Sequence, residues 1–455
     1  MTGLPEPLQR ALGSDFLAVL DFFAKTVRDH RGEIRVITHD DADGICAGGV
    51  MGKALRRMDK SFHMTSVKGL SNSLIQELDR EGNELVIVLD MGSGHMDLFE
   101  KCAGTFLVVD HHTISTKPGK TVYLLNPHDF NRDGSREVSG STMAFLLGLA
   151  LDGDNWNLLS TAIAGSIGDK QDMGGFTGIN QLLVELGEES GALETFRDMD
   201  LQDTPLKKSI PDSLDPFYIH YCSNSEIAVK DLESVGLDGD KKLSELSSKE
   251  REALATLLST ELMSARIRPE SIRMFRKIMV RDKKSLTEAR HLSKIVNACG
   301  KMGKNGMGLA IAMGDLTFME KGIKIRAEYR KGIREEMRRL CCEGVEVQGG
   351  IQYFHTSDGL RSGAVCGLAM LYIVNQNMPL FSIFKDKEEY KISARGTGHL
   401  VKKGLDLARA CRESAKMSGG QGGGHVIASG ATIPENVLED FLNNAGIMVK
   451  EQLNL

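Results

Sequence analysis

The chain has no apolar stretch near the roughly 18 residues that a membrane-spanning helix needs. Its longest candidate, "VCGLAMLYIV", reads as a buried helix instead. The N-terminal region has no basic segment leading into an apolar core and a small-residue cleavage site, so no secretory leader is expected. Cysteine occurs 8 times in 455 residues but never in CxxC spacing. That argues against a disulfide scaffold or a zinc finger and predicts a cytoplasmic, reducing setting. Excess positive charge is absent too. The formal net charge is −6, so this is no globally basic nucleic-acid binder. An acidic site beside a local basic surface would give the same sum. No internal repeat is evident.

What is present is an ordinary globular composition, 41% hydrophobic and 26% charged, in a chain too long for one compact core. "LQRALGSDFLAVLDFFAKTVRDH" has helical spacing and predicts an opening helix. "EIRVIT", "ELVIVLD" and "TFLVVD" read as buried strands, with a small-residue helix over 47–58 after the first. Strands alternating with helices predict a parallel α/β sheet. "LLSTAIAGSIGDKQD" reads as an apolar helix or strand breaking at Gly168. Residues 191–340 turn helical and charged, and from Val345 the chain returns to α/β. We therefore expect three regions, 1–190, 191–340 and 341–455. The basic run Lys324, Arg326, Arg330, Lys331, Arg334, Arg338 and Arg339 is either a solvated helix face or a surface that tracks phosphates. "DGDNW" and "HTSDG" read as polar turns.

The chemistry concentrates at predicted strand ends. His39, Asp41 and Asp43 follow the first strand, Asp90 ends the second, and Asp110, His111 and His112 end the third. Asp169 stands at the tip of the Gly168 break. In parallel sheets ligands bind outside the carboxyl ends of the strands, so these groups are expected to converge. Like charges so crowded repel unless a cation cancels them. Carboxylates with one or two imidazoles suit Mn²⁺ or Mg²⁺ rather than a thiolate metal. If the chain is extended there, Asp41 and Asp43 project to one side and reach two adjacent ions, which Asp90 can bridge. Two such ions activate water and clamp a phosphate, so phosphoester hydrolysis is expected. His111 and His112 are expected to diverge, one toward metal and one toward substrate, with Asp110 as partner to an imidazole. Asp40 is expected to face solvent. Removing one carboxylate, as in Asp43→Ala, is expected to raise metal-free stability by relieving repulsion.

"HDDADG", "LDMGSG", "VVDHH" and "SIGD" resemble, in order and spacing, the four motifs of the DHH phosphoesterase superfamily. "GGGHVIASG" resembles the signature of its C-terminal DHHA1 domain, and "NPHDFNRDGSREVSGSTMAF" and "NACGKMGK" are similar to segments of archaeal RecJ-like proteins, including the GINS-associated nuclease. The resemblance implies a parallel-sheet DHH domain, a helical connector and a smaller C-terminal α/β domain, with the active site in the cleft between domains. It places Asp41 and His39 on a first metal, Asp43, His111 and Asp169 on a second, and Asp90 between them. It places His112 against the reacting phosphate. "KISARGT" resembles the substrate-binding arginine motif, which puts Arg395, with Ser393, on a strand phosphate. Gly422, Gly423 and Gly424 would allow close backbone approach, with His425 near the substrate.

The activity so implied is a two-metal exonuclease on single-stranded DNA or RNA, acting in replication or repair. Two other readings stay open. One is a nanoRNase, nucleotide phosphatase or cyclic-dinucleotide phosphodiesterase. The other is a replisome scaffold binding GINS, against which the fully occupied ligand positions argue.

Overall fold

A computed structural model describes residues 3–454 apart from 223, 266, 270–271, 273–275 and 286. Five strands form the N-terminal sheet: β1 (Ile34–His39), β2 (Phe62–Val67), β3 (Leu85–Leu89), β4 (Thr105–Val109) and β5 (Val122–Leu125). Their order is β2-β1-β3-β4-β5, and every pairing is parallel. The predicted sheet is therefore present, with two strands that the sequence pattern did not reveal. β2 is half exposed and lacks a clean apolar run, and β5 is only four residues long.

Side chains alternate across this sheet as the pleat requires. Val36, Ile87, Leu107 and Val109 enter one large core with the helices Ser14–Asp29, Ala42–Arg57, Gly140–Leu151 and Leu159–Gly168. Ile37, Val88, Phe106 and Val108 enter a second core on the opposite face. Burial on both faces is why the central strands read as unbroken apolar runs. The opening helix is two helices, Glu6–Leu12 and Ser14–Asp29. Gly13, at φ 83°, breaks the chain between them.

Two compact units divide the chain: Met1–Asp198 with Lys277–Ala327, and Met199–Arg276 with Glu328–Leu455. The region predicted to be helical also holds a strand pair, β6 (Leu193–Met199) and β7 (Arg276–Asp282), whose charged sequences hide the β signal. The second unit contains β8 (Glu346–Gln348), β9 (Ile351–Thr356), β10 (Leu380–Asp386), β11 (Glu389–Arg395), β12 (Gln421–Gly424) and β13 (Ala428–Pro434). Their order is β12-β13-β11-β10-β9-β8. β9 and β10 are parallel and joined through the helix Ser362–Tyr372, as a parallel crossover demands; the other neighbours are antiparallel. The glycine-rich segment, expected as a loop, is largely strand β12.

The basic run proves mostly structural. Arg326 is buried and donates to His291 at 2.8 Å. In the second unit Arg330 donates to the Asp212 carbonyl, Arg334 pairs with the Asp212 carboxylate at 3.0 Å, Arg338 donates to the Cys222 carbonyl, and Arg339 pairs with Glu336 and Glu343. These arginines are therefore internal contacts, neither the solvated face nor the phosphate track that the sequence offered. All eight cysteines are free thiols. Among the described residues, no helix is long and apolar enough to cross a membrane.

The helix Ala42–Arg57, which starts at the site, is seated by close backbone contact. A Cβ on Gly49 would stand 2.4 Å from the Ala312 Cβ and 2.8 Å from its carbonyl carbon. Gly49→Val should therefore destabilise the first unit by about 1–3 kcal/mol or more through overpacking. Denaturant unfolding followed by circular dichroism measures this, and an unchanged midpoint would contradict the packing described.

Candidate metal centre

The carboxyl ends of β1, β3 and β4 bring their acidic and imidazole groups to one place. β1 ends at His39. Asp41 then caps the helix Ala42–Arg57, its side chain accepting from the Gly44 N–H at 3.0 Å, and Asp43 lies in that helix's first turn. The segment is thus not extended, and Asp41 and Asp43 do not share a side by strand alternation. The helix start sends them apart, Asp41 toward His39 and Asp90, and Asp43 toward His111 and Asp169. Asp90 follows β3 directly at φ 57°, a left-handed conformation that aspartate tolerates better than most residues. Gly140 lies so close that a Cβ there would be 2.5 Å from Asp90 Oδ1. Asp169 caps the C-terminal end of the helix Leu159–Gly168.

Three overlapping ligand groups result: Asp43 with His111 and Asp169, His39 with Asp41 and Asp90, and Asp90 with His111 and His112, so Asp90 belongs to two of them. His111 Nε2 lies 3.1 Å from Asp90 Oδ1, 3.3 Å from Asp169 Oδ2 and 3.7 Å from Asp43 Oδ2. His39 Nδ1 lies 2.9 Å from Asp41 Oδ2 and 3.6 Å from Asp90 Oδ2. Donor atoms of Asp43, His111 and Asp169, and those of His39, Asp41 and Asp90, fall within 4.8 Å of one another. Two atoms bound side by side to one small divalent ion stand about 3 Å apart, close to these spacings. Among the described residues, Asp90 Oδ1 and His111 Nε2 are buried without a hydrogen-bond partner. Buried polar atoms normally have partners, so two that point at each other without one mark a place for a cation. The donor set fits Mn²⁺ or Mg²⁺.

Electrostatics agree. Burial, then the neighbouring Asp90 charge, pushes the Asp43 carboxyl up to about 6. Burial and the Asp43 charge push Asp169 well above the carboxylate range. Burial opposes charge on His39 too, but the Asp41 and Asp90 carboxylates outweigh it and push the imidazole up to about 11. For His111 the same contest is won by Asp90, Asp169 and Asp43, so it rises far above the usual histidine range. The unloaded site thus collects protons where a cation would otherwise supply the positive charge.

Other expectations need correction. Asp40 does not face solvent. It is buried at 3% exposure, with Lys301 Nζ 3.6 Å from its carboxylate, because the helix Ala289–Lys301 closes over it. His111 and His112 do not diverge. Their rings lie 4.3 Å apart, with His111 buried and His112 half-buried. Asp110 holds the second ring, sitting 2.7 Å from His112 Nδ1, and also accepts from the His111 and Ser93 backbone N–H groups. Nor is Asp43 merely one charge in a crowd. Its carboxylate accepts from the Gly140 N–H at 2.6 Å, the Ser141 N–H at 3.1 Å and the Ser139 hydroxyl at 2.8 Å. It thereby satisfies the N-terminus of the helix Gly140–Leu151. These supporting residues went unnoticed in the sequence. The available signal was the Ser139–Thr142 capping pair before an apolar run.

The second unit groups its own five candidates. Ser393 and Arg395 lie on β11, Gly423 and Gly424 on β12, and both strands pair with β13 between them. Arg395 faces Ala428 and Gly424 faces Ser429, so they flank one end of β13, with His425 exposed in the adjoining turn. The Arg395 guanidinium is half-buried and donates to the Ala394 and Ser429 carbonyls through Nη1.

Residues 33–167 match the family described as the DHH family, N-terminal domain, and residues 348–451 match the DHHA1 domain. An uncharacterized protein of Methanocaldococcus jannaschii is 30% identical over 435 residues, covering 94% of this chain and 95% of that one. RecJ of Thermus thermophilus in complex with Mn²⁺ superposes with a TM-score of 0.60 at 17% identity, over 95% of this chain and 55% of that longer one. CDC45 of Entamoeba histolytica superposes with a TM-score of 0.62 at 12% identity, over 96% of this chain and 99% of that one.

Because Asp43 satisfies buried donors, Asp43→Ala should lower metal-free stability, by about 1–3 kcal/mol for each donor left without an acceptor. This reverses the outcome expected from repulsion alone. Asp169→Asn, which removes charge without orphaning such a set, should leave the metal-free melting temperature unchanged or raised. In the wild type, Mn²⁺ at a hundredfold excess over its Kd should add about 2.7 kcal/mol, and chelator should abolish the gain. Thermal melts of the three proteins with Mn²⁺ and with chelator check all of this.

Proposed function

Because the chain belongs to the DHH family, we propose that it is a metal-dependent phosphodiesterase that removes nucleotides from single-stranded DNA or RNA, in the manner of RecJ. The observation that carries the reading is the position of Asp90, whose two oxygens face different ligand groups, Oδ1 toward His111 and Oδ2 toward His39. His39, Asp41 and Asp90 would hold one divalent ion, and Asp43, His111, Asp169 and Asp90 a second. Such a pair supplies an activated water and neutralises charge at the scissile phosphate.

The chain's own groups do the rest. The Asp110 carboxylate accepts from Nδ1 of His112 and, against the cost of burial, raises that imidazole above its ordinary range, so the half-buried ring keeps a second proton on Nε2 to donate to the phosphate oxygens. A donor fixed where negative charge grows is worth more than one that must reorient. Ser139, Gly140 and Ser141 keep Asp43 in one orientation while its other contacts change. Arg395 and the open backbone at Gly423 suit the binding of a strand phosphate, since the guanidinium fork can donate twice. GINS, or another replication factor, is a partner consistent with this activity.

The test is digestion of DNA and RNA single strands labelled at either end, beside a linear dinucleotide and a cyclic dinucleotide, with Mn²⁺, Mg²⁺ or chelator. Stepwise shortening of the long strand with metal, and none with chelator, is expected. Cleavage confined to dinucleotides would replace the exonuclease with the small-substrate reading. No cleavage by metal-loaded protein would leave a binding role. His112→Ala should slow cleavage about 100- to 1000-fold without loss of Mn²⁺ binding. Full turnover by that variant would remove His112 from the chemistry.

A further inference from the structure

In the group formed by Asp43, His111 and Asp169, two ligands, His111 and Asp43, are tied together behind the site by a buried polar chain. His111 Nδ1 lies 2.6 Å from the Gly134 carbonyl. A carbonyl only accepts, so Nδ1 carries the proton and Nε2 is the ring atom left toward the carboxylates. The same carbonyl accepts a second bond, from Gln171 Nε2 at 2.9 Å. Gln171 Nε2 also lies 3.4 Å from the Val138 carbonyl, which fixes the amide with its nitrogen on that side. Gln171 Oε1 accepts from Asn180 Nδ2 at 2.6 Å. Asn180 Oδ1 lies 3.3 Å from Ser166 Oγ, which lies 3.0 Å from Ser139 Oγ, the donor to Asp43. Gln171, Asn180, Ser166 and Ser139 are all buried, at 4% exposure or less.

We propose that Gln171, oriented by Asn180, is a positioning residue that fixes the Gly134 carbonyl and so holds His111 as the Nδ1–H tautomer with Nε2 toward the metal group. Neither Gln171 nor Asn180 touches the site, yet the amide chain gives His111 and Asp43 a common support. Without the Gln171 bond the carbonyl turns away, and His111 samples the tautomer that places a proton where the cation must sit. Partners of this kind behind a ligand typically change metal affinity about 10- to 100-fold.

This inference rests on the metal-centre reading, and its test is separable from that of nuclease activity. In the full-length protein loaded with diamagnetic Mg²⁺, where the Nε2 proton is displaced, ring nitrogen NMR shifts should show wild-type His111 protonated at Nδ1 alone, and Gln171→Met should shift the ring away from that pattern. Titration with Mn²⁺, read by loss of the free-ion EPR signal, should show affinity weakened about 10-fold in Gln171→Met. Gln171→Glu can accept from Asn180 but not donate to Gly134, so it should be weakened too, while Asn180→Asp should fall between. A folded Gln171→Met with wild-type affinity and ring shifts overturns the proposal. If that variant does not fold, an Nε2–H tautomer in the wild type overturns it alone, and an Nδ1–H signal disturbed in Asn180→Asp supports it. Wild-type protein that binds Mn²⁺ with the expected tautomer but cuts nothing would sink the nuclease reading and leave this one standing.

Discussion

Four carboxylates within a few ångströms of each other repel, and much of the first unit can be understood as the means of holding them there. Asp41 is spent as a helix cap, Asp43 as the acceptor for another helix's first N–H groups, and Asp110 as a brace for two backbone amides and an imidazole. In each case the negative charge meets aligned backbone donors, whose partial positive charge offsets part of the desolvation and repulsion. Asp90 has no such backing among the described residues for Oδ1. It is the carboxylate left for an ion, and it stands between the two imidazoles.

The sheet makes this arrangement possible. Parallel strands buried on both faces end in register, so β1, β3 and β4 deliver their following residues to one edge without long loops. Helix starts cluster at the same edge. The crowding of small residues there, such as Gly140 beside Asp90, reflects how little room remains once acids, imidazoles and helix N-termini share it.

Much of this was legible in the sequence. Strand, then acid, three times over, announced both the sheet and the edge where a site belongs, because a fully buried parallel strand leaves an unbroken apolar run. The order of motifs also identified the family. What stayed hidden depended on contacts between distant parts of the chain. Asp40 reads as surface because nothing near it in sequence shows that the helix Ala289–Lys301 will cover it. Asp43 reads as one more repelling charge because Ser139 and Gly140, its donors, belong to another motif. Gln171 and Asn180 carry no signal, since an amide in a polar stretch looks alike whether it is solvated or buried. β6 and β7 were lost to their charged composition, and the basic helix drew attention it did not merit because its acidic and carbonyl partners lie elsewhere.

The double duty of Asp43 has a consequence for how this protein could lose its chemistry over time. A ligand that also begins a helix cannot be discarded without repairing the fold, whereas the side chains of Asp169 and His39 stay about a quarter exposed, at 25% and 26%. A silent descendant would shed those outer groups first and keep the inner acid as a fossil of the vanished reaction, retained for architecture after its partners had drifted away.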